Sequence, residues 1–176
     1  MMDHPNIIKY VESFEDNRYM YIVTEFVESS RSLEDVLREA RDKRGEASTD
    51  TLLPVNDVRK LMRMIFAGML HIHQNGIVHR DIKPANVLLD DKFELNIIDF
   101  GVAFDPLEAL SNGSDRGFIV GTPVFMAPEI FREEGSLSAY DKPIDIYACG
   151  QMMYNLLSDA YAYGLNGMID LDTVPQ

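Results

Sequence analysis

The run His79-Arg80-Asp81-Ile82-Lys83-Pro84-Ala85-Asn86 decides how this chain is read. Eighteen residues after Asp81 stands Asp99-Phe100-Gly101, followed by Gly121-Thr122-Pro123 and Ala127-Pro128-Glu129. Any one of these polar residues alone reads as a turn or cap residue. Their joint order and spacing do not. A carboxylate, a cation two residues on, an amide and a second carboxylate recur where strand-like runs flank a polar turn: Asn86 to Leu89, then Asp90-Asp91-Lys92, then Glu94 to Ile98. Gly101 suits the sharp turn that follows Asp99.

Working outward, Ile7 to Glu12 and Tyr19 to Thr24 are rich in β-branched and aromatic residues, and Ser13 to Arg18 separates them, which predicts an antiparallel hairpin. Ser32 to Arg44 predicts a helix with Leu33, Val36, Leu37 and Ala40 on one face and Ser32 as N-cap. Gly45 to Leu53 is polar and precedes Pro54, as a linker or tolerated insertion does. Val58, Leu61, Met62, Ile65, Phe66, Met69 and Leu70 predict an amphipathic helix ending near Asn75-Gly76. Phe104 to Phe118 reads as irregular. Ile144 to Leu157 is apolar nearly all round and predicts a helix buried on most sides. A hairpin followed mostly by helices makes the fold class α+β.

The motif set resembles the catalytic loop, the metal-binding loop and the end of the activation segment of the eukaryotic protein kinases. The resemblance runs from about His4 to about Leu157. It implies a small β-hairpin remnant of the N-lobe with the hinge (residues 1–27) and a mostly helical C-lobe lacking its last helices (residues 28–176). ATP and Mg²⁺ would be the cofactors. In such a site Asp81 orients the acceptor hydroxyl and takes its proton, and Lys83 neutralises the transferring phosphoryl group. Asn86 and Asp99 supply hard oxygen ligands for Mg²⁺. Lys83 together with Gly121-Thr122-Pro123 resembles the serine/threonine branch, in which Thr122 bridges Asp81 and Lys83 beside the acceptor. Tyr21 to Val27 resembles the strand and hinge that hold adenine. Backbone groups of Glu25 and Val27 would bond its edge, Leu88 would lie under the ring, and Thr24 would guard the rear of the pocket. Asp145 would anchor the catalytic loop structurally, and Glu129 would await an Arg from later helices. Arg80 normally signals pairing with a phosphorylated loop residue. Here Phe118 occupies the usual acceptor slot, and Ser111 and Ser114 are the only hydroxyls between Gly101 and Thr122. The opening Asp3-His4-Pro5-Asn6-Ile7-Ile8 is similar to calcium/calmodulin-type and calcium-dependent kinases, although no D-x-D-x-D-G loop occurs.

The 176 residues carry a formal net charge of −13, which disfavours nucleic acid or an anionic membrane as the main partner. A protein Ser or Thr is the expected substrate, with a regulatory domain or subunit outside the chain. One Cys excludes an internal disulfide and fits a reducing, cytoplasmic setting, without excluding the nucleus. No apolar run reaches the roughly 20 residues a membrane span needs. His71 and His73 are two apart on a predicted helix and do not face each other, which argues against zinc. Cys149 and the methionines read as core, and Arg41 to Arg44 as a solvated helix end. No G-x-G-x-x-G run and no V-A-I-K-like strand occur. The resemblance therefore implies a kinase core with both ends missing, inactive as written. A non-catalytic kinase-like scaffold is the alternative.

Overall fold

The computed structural model describes residues 2–44, 51–107, 111, 119–132 and 141–160. The hairpin forms, three residues later than the apolar run predicts: β1 (Tyr10–Glu15) pairs antiparallel with β2 (Met20–Thr24), with a bulge between Tyr10 and Glu12. Asp16 sets the boundary. Its Oδ1 accepts the backbone N–H of Arg18 at 2.7 Å and of Tyr19 at 2.8 Å, so the turn starts there and not at Ser13. Ile7 leaves the hairpin because it bridges in parallel to Ile97. The Ile97 amide donates to Asn6 O at 2.9 Å, the Ile8 amide donates to Ile97 O at 2.9 Å, and Asn6 Nδ2 donates to Leu95 O at 3.0 Å.

A second sheet holds β3 (Arg31–Ser32), β4 (Val87–Leu89) and β5 (Leu95–Ile97) in that order, all antiparallel. The β4–β5 pair matches the two strand-like runs. β3 is too short to carry a pattern. Helix α1 (Leu33–Lys43) starts at Ser32 with a capping box: Asp35 N–H donates to Ser32 Oγ at 3.1 Å and Asp35 Oδ2 accepts the Ser32 amide at 3.3 Å.

Helix α2 (Val55–Gln74) is the spine of the core. Val58, Leu61, Met62, Ile65, Gly68, Met69 and Ile72 are buried, and the helix stops at Asn75 before Gly76, which adopts φ +80. Phe66 and Leu70, expected in that seam, are instead 42% and 59% exposed. Each sits one residue, about 100°, past the buried row. Gly68 lets the N-terminal segment and β5 approach closely. A Cβ there would meet Ile97 Cδ1 at 2.8 Å and Asn6 O at 3.1 Å.

Residues 45–50 lie outside the described residues, but Leu52 and Leu53 are not linker. Both are buried, and their amides donate to the carbonyls of Leu157 (2.7 Å) and Leu156 (3.2 Å). A short helix α3 (Pro128–Arg132) follows the Pro123–Phe125 turn, and α4 (Pro143–Ser158) closes the described core against α2. Helix α4 is buried on one side only. Ile144, Ala148, Cys149, Met152 and Leu156 are packed, whereas Ile146, Met153 and Tyr154 are exposed, because α2 and the Pro123–Phe125 turn cover a single face. Of Phe104 to Phe118, residues 108–110 and 112–118, including Ser114 and Phe118, lie outside the described residues. No described helix is long and apolar enough to cross a membrane.

Candidate active site

The loop between α2 and the Pro84–Asn86 turn is fixed at both ends. Val78 and Phe104 exchange two backbone hydrogen bonds of 2.8 Å. Asp145, 1% exposed on the first turn of α4, accepts three bonds: the backbone N–H groups of His79 (2.8 Å) and Arg80 (2.9 Å), and Nε2–H of His73 (2.8 Å). A buried carboxylate requires such partners. Arg80 adopts φ +67, a left-handed turn in the chain immediately before Asp81. The guanidinium of Arg80 donates from Nε to Val102 O at 2.6 Å and lies 4.7 Å from the centre of the Phe104 ring.

Beyond that turn four side chains converge. Asp81 Oδ1 accepts the Thr122 hydroxyl at 2.7 Å. Asp81 Oδ2 accepts Lys83 Nζ at 2.8 Å and Asn86 Nδ2 at 3.0 Å. Lys83 Nζ also donates to Thr122 Oγ1 at 2.8 Å. Gly121 makes the approach possible. It adopts φ +110, and a Cβ on it would lie 2.5 Å from Arg80 O. The Asp81 and Lys83 side chains are 12% and 24% exposed, so the pair is partly desolvated yet still in touch with solvent.

His79 is fully buried, and its contacts assign the proton. Nε2–H donates to Ile98 O at 3.2 Å, while Nδ1 accepts the Asp81 amide at 3.3 Å. Its ring packs on Phe100 at 5.0 Å. Burial holds its pKa below the ordinary histidine value, despite the opposing pull of Asp145, Asp81 and Asp99. A neutral His79 therefore braces the amide of Asp81 from one side and the strand leading to Asp99 from the other. The motif order marks His79 without giving it a role, and the spacing of His71 and His73 argues only against zinc. Nothing in one-dimensional spacing marks the bond from His73 to Asp145, 72 residues away.

Asp99 adopts φ +64, with its Oδ1 accepting the Gly101 amide at 3.2 Å. The backbone of Asn86 is tied to this strand end, since Ile98 N–H donates to Asn86 O at 3.0 Å. Asp99 is exposed and makes no side-chain bond to Asp81, Lys83 or Asn86 among the described residues. Both amide hydrogens of Asn86 are committed to Asp81, to its carbonyl at 2.9 Å and to its carboxylate, which leaves Asn86 Oδ1 as an unspent acceptor. No group of three or more His, Cys, Asp or Glu is placed to hold a metal among the described residues. An amide oxygen and one carboxylate suit an ion that takes its remaining ligands from water and phosphate, which is the habit of Mg²⁺.

A cleft of about 460 Å³ lies between the hairpin on one side and Leu88 with residues 98–101 on the other, lined by Thr24, Glu25, Val27, Leu88, Asp99 and Phe100 among others. At its rim the Glu25 amide is spent on Lys9 O (2.9 Å) and the Val27 carbonyl accepts Ser30 Oγ–H (2.8 Å). The Glu25 carbonyl and the Val27 amide have no partner among the described residues, an acceptor and a donor two residues apart. A flat heteroaromatic edge with one donor and one acceptor fits them, with Leu88 as the apolar floor. Thr24, together with Ile8, Met20, Ile22 and Phe100, also lines a second, more apolar cavity of about 650 Å³ that adjoins the cleft. Glu129 begins α3 and makes no ion pair among the described residues. Cys149 is buried, its thiol pushed up to about 12 by burial and then by Asp145, and is chemically inert.

A family model for the protein kinase domain matches residues 1–170. Calcium-dependent protein kinase 5 of Plasmodium falciparum is 36% identical over 159 residues, 89% of this chain and 24% of that protein. Calcium-dependent protein kinase 4 of Plasmodium berghei is 31% identical over 162 residues, 90% of this chain and 27% of that protein. The phosphorylase b kinase gamma catalytic chain (liver/testis isoform) of Bos taurus is 32% identical over 157 residues, 88% of this chain and 35% of that protein. The chain thus spans between a quarter and about a third of the length of these relatives.

Proposed function

Because the chain belongs to the protein kinase family, we propose that it forms the catalytic-loop half of a site that transfers the γ-phosphoryl group of ATP to a Ser or Thr hydroxyl of a protein. The observation that supports this most is the convergence of Thr122 and Lys83 on the two oxygens of Asp81. An acceptor hydroxyl entering beside Thr122 meets Asp81 as hydrogen-bond acceptor and eventual proton holder, and Lys83 offsets negative charge at the same point. Glu25 and Val27 hold the adenine edge over Leu88. Mg²⁺, when bound through Asn86 and Asp99, supplies charge neutralisation at the phosphates. Asp145 and Glu129 are structural, and Arg80 steadies the segment after Gly101. A cytoplasmic setting and a regulatory region elsewhere in a longer protein belong to the same proposal.

These 176 residues by themselves do not turn over. They contain no G-x-G-x-x-G run and no V-A-I-K-like strand with its phosphate-pairing Lys. Losing one preorganised contact to developing charge costs about 3–4 kcal/mol, or roughly 10²–10³ in rate. That same absence favours a non-catalytic docking module as the second reading. Two measurements separate them. In a catalytic domain completed with a Gly-rich loop and its Lys, Asp81→Asn abolishes transfer to a Ser/Thr peptide and leaves Mg-ATP binding in place. Near wild-type turnover by that variant refutes the role of Asp81. Steady turnover by the isolated 176-residue protein refutes its proposed inactivity.

A further inference from the structure

Among the described residues, Arg31, Arg38 and Arg41 are each ion-paired, with Glu39, Asp35 and Asp159. Two arginines on α2 are not. Arg59 reaches only the neutral amide oxygen of Asn56 at 3.0 Å, and Arg63 makes no ion pair. This is notable in a chain with 29 acidic and 16 basic residues. Arg59, Arg63, Phe66 and Leu70 recur at steps of four, three and four, which at 3.6 residues per turn is a single stripe. All four are exposed, on the side of α2 facing away from its buried row. The stripe extends about 17 Å, three helical turns.

We propose that the Arg59–Arg63–Phe66–Leu70 stripe docks an acidic amphipathic helix of a partner protein. Two arginines without an ion-pair partner lie beside an exposed aromatic ring, and arginine and aromatic side chains are the types enriched where proteins bind each other. Carboxylates at one-turn spacing satisfy the arginines, and apolar side chains on the same face cover Phe66 and Leu70. Charge selects this occupant over an anionic bilayer. An extended lipid surface feels the whole net charge of −13 and is repelled, whereas a single helix meets the two arginines within a Debye length of about 8 Å. The stripe lies on the opposite side of α2 from Gly68 and β5, so its role is separate from phosphoryl transfer.

The probe is a fluorescein-labelled helical peptide of about four turns, with Glu at i and i+4 and Leu at i+3 and i+7. Fluorescence anisotropy with the 176-residue protein is expected to show binding that weakens as salt rises, and that falls at least about tenfold in Arg63→Glu and in Phe66→Ser. Arg63→Glu is also expected to gain affinity for the same peptide carrying Lys in place of Glu, a gain that loss of fold cannot produce. The proposal is overturned if the Glu and Lys peptides bind the wild type equally, if neither binds, or if Arg63→Glu behaves as wild type. It is equally overturned if the protein sediments with phosphatidylcholine–phosphatidylserine vesicles through these same residues.

Discussion

Replacing Asp145 by Asn removes one charge from a carboxylate whose oxygens accept three hydrogen bonds at 1% exposure. Oδ2 serves His73 and His79, and Oδ1 serves Arg80. An Asn has one acceptor oxygen. Placed at the Oδ2 position it keeps two bonds, now neutral, and points its NH₂ at the Arg80 amide, donor against donor. Hydrogen bonds to a charged partner are worth about 1.5–3 kcal/mol each, and a buried N–H left unpaired costs about 1–3 kcal/mol. Breaking a buried charged network from one side costs about 3–5 kcal/mol in total. In a protein of this size that lowers the melting temperature by about 10 °C. Urea unfolding followed by circular dichroism is expected to show a lower midpoint at unchanged slope. Arg31→Ala, which breaks a pair exposed by 50% and 47%, serves as the control and shifts stability by no more than about 1 kcal/mol. An Asp145→Asn loss below about 1 kcal/mol refutes the claim that this residue anchors the catalytic loop.

The pH dependence has a definite sign. His79 and His4 both titrate below the ordinary 6.5, through burial first, with His71 adding to the effect on His4. The unfolded chain therefore binds more protons below that value, and stability present above pH 6.5 is lost as pH falls. Urea midpoints are expected to decline from pH 7.5 to 5.5 in the wild type and less steeply in His4→Asn; a midpoint that rises on acidification contradicts this. Thr24→Met should add bulk where the two cavities adjoin and weaken an ATP-competitive inhibitor bearing a bulky group by at least about tenfold while sparing ATP. Equal potency against both forms shows the cleft is misread. Gly121→Ala forces a Cβ to 2.5 Å from Arg80 O at φ +110 and should cost about 2 kcal/mol or more, read as a lower melting temperature; a neutral result refutes the close approach.

What could be read from sequence alone follows the range of the interactions. The capping box at Ser32, the end of α2 at Asn75-Gly76 and the β4–β5 turn all depend on residues within a few positions, and all are legible. Phe66 and Leu70 were not, because a hydrophobic step pattern does not say how wide the neighbouring surface is. Leu52 and Leu53 were lost in a polar stretch, although they bond the end of α4 more than 100 residues away. The late start of β1 depends on Ile7 finding Ile97, again non-local. In the candidate site the residue identities of Asp81, Lys83, Asn86, Asp99 and Thr122 stand out by order and spacing. The supports do not: His73 under Asp145, the tautomer of His79 and the crowding at Gly121 exist only once distant segments meet.

The cleft is roofed by a hairpin that joins the rest of the protein along two adjacent chain crossings. On the way in, the Ile8 amide is bonded to Ile97 O; on the way out, the Glu25 amide is bonded to Lys9 O, while the Lys9 amide donates to Glu25 Oε1 at 3.1 Å. Two crossings laced together do not behave as a flexible tether. Swivelling the roof sideways shears the Lys9–Glu25 contacts, and lifting it straight off extracts Ile8 from β5. These bonds set where the hairpin stands against β5, and with it the spacing of Thr24 and Leu88 across the cleft, a spacing fixed independently of the Asp81, Lys83 and Thr122 contacts.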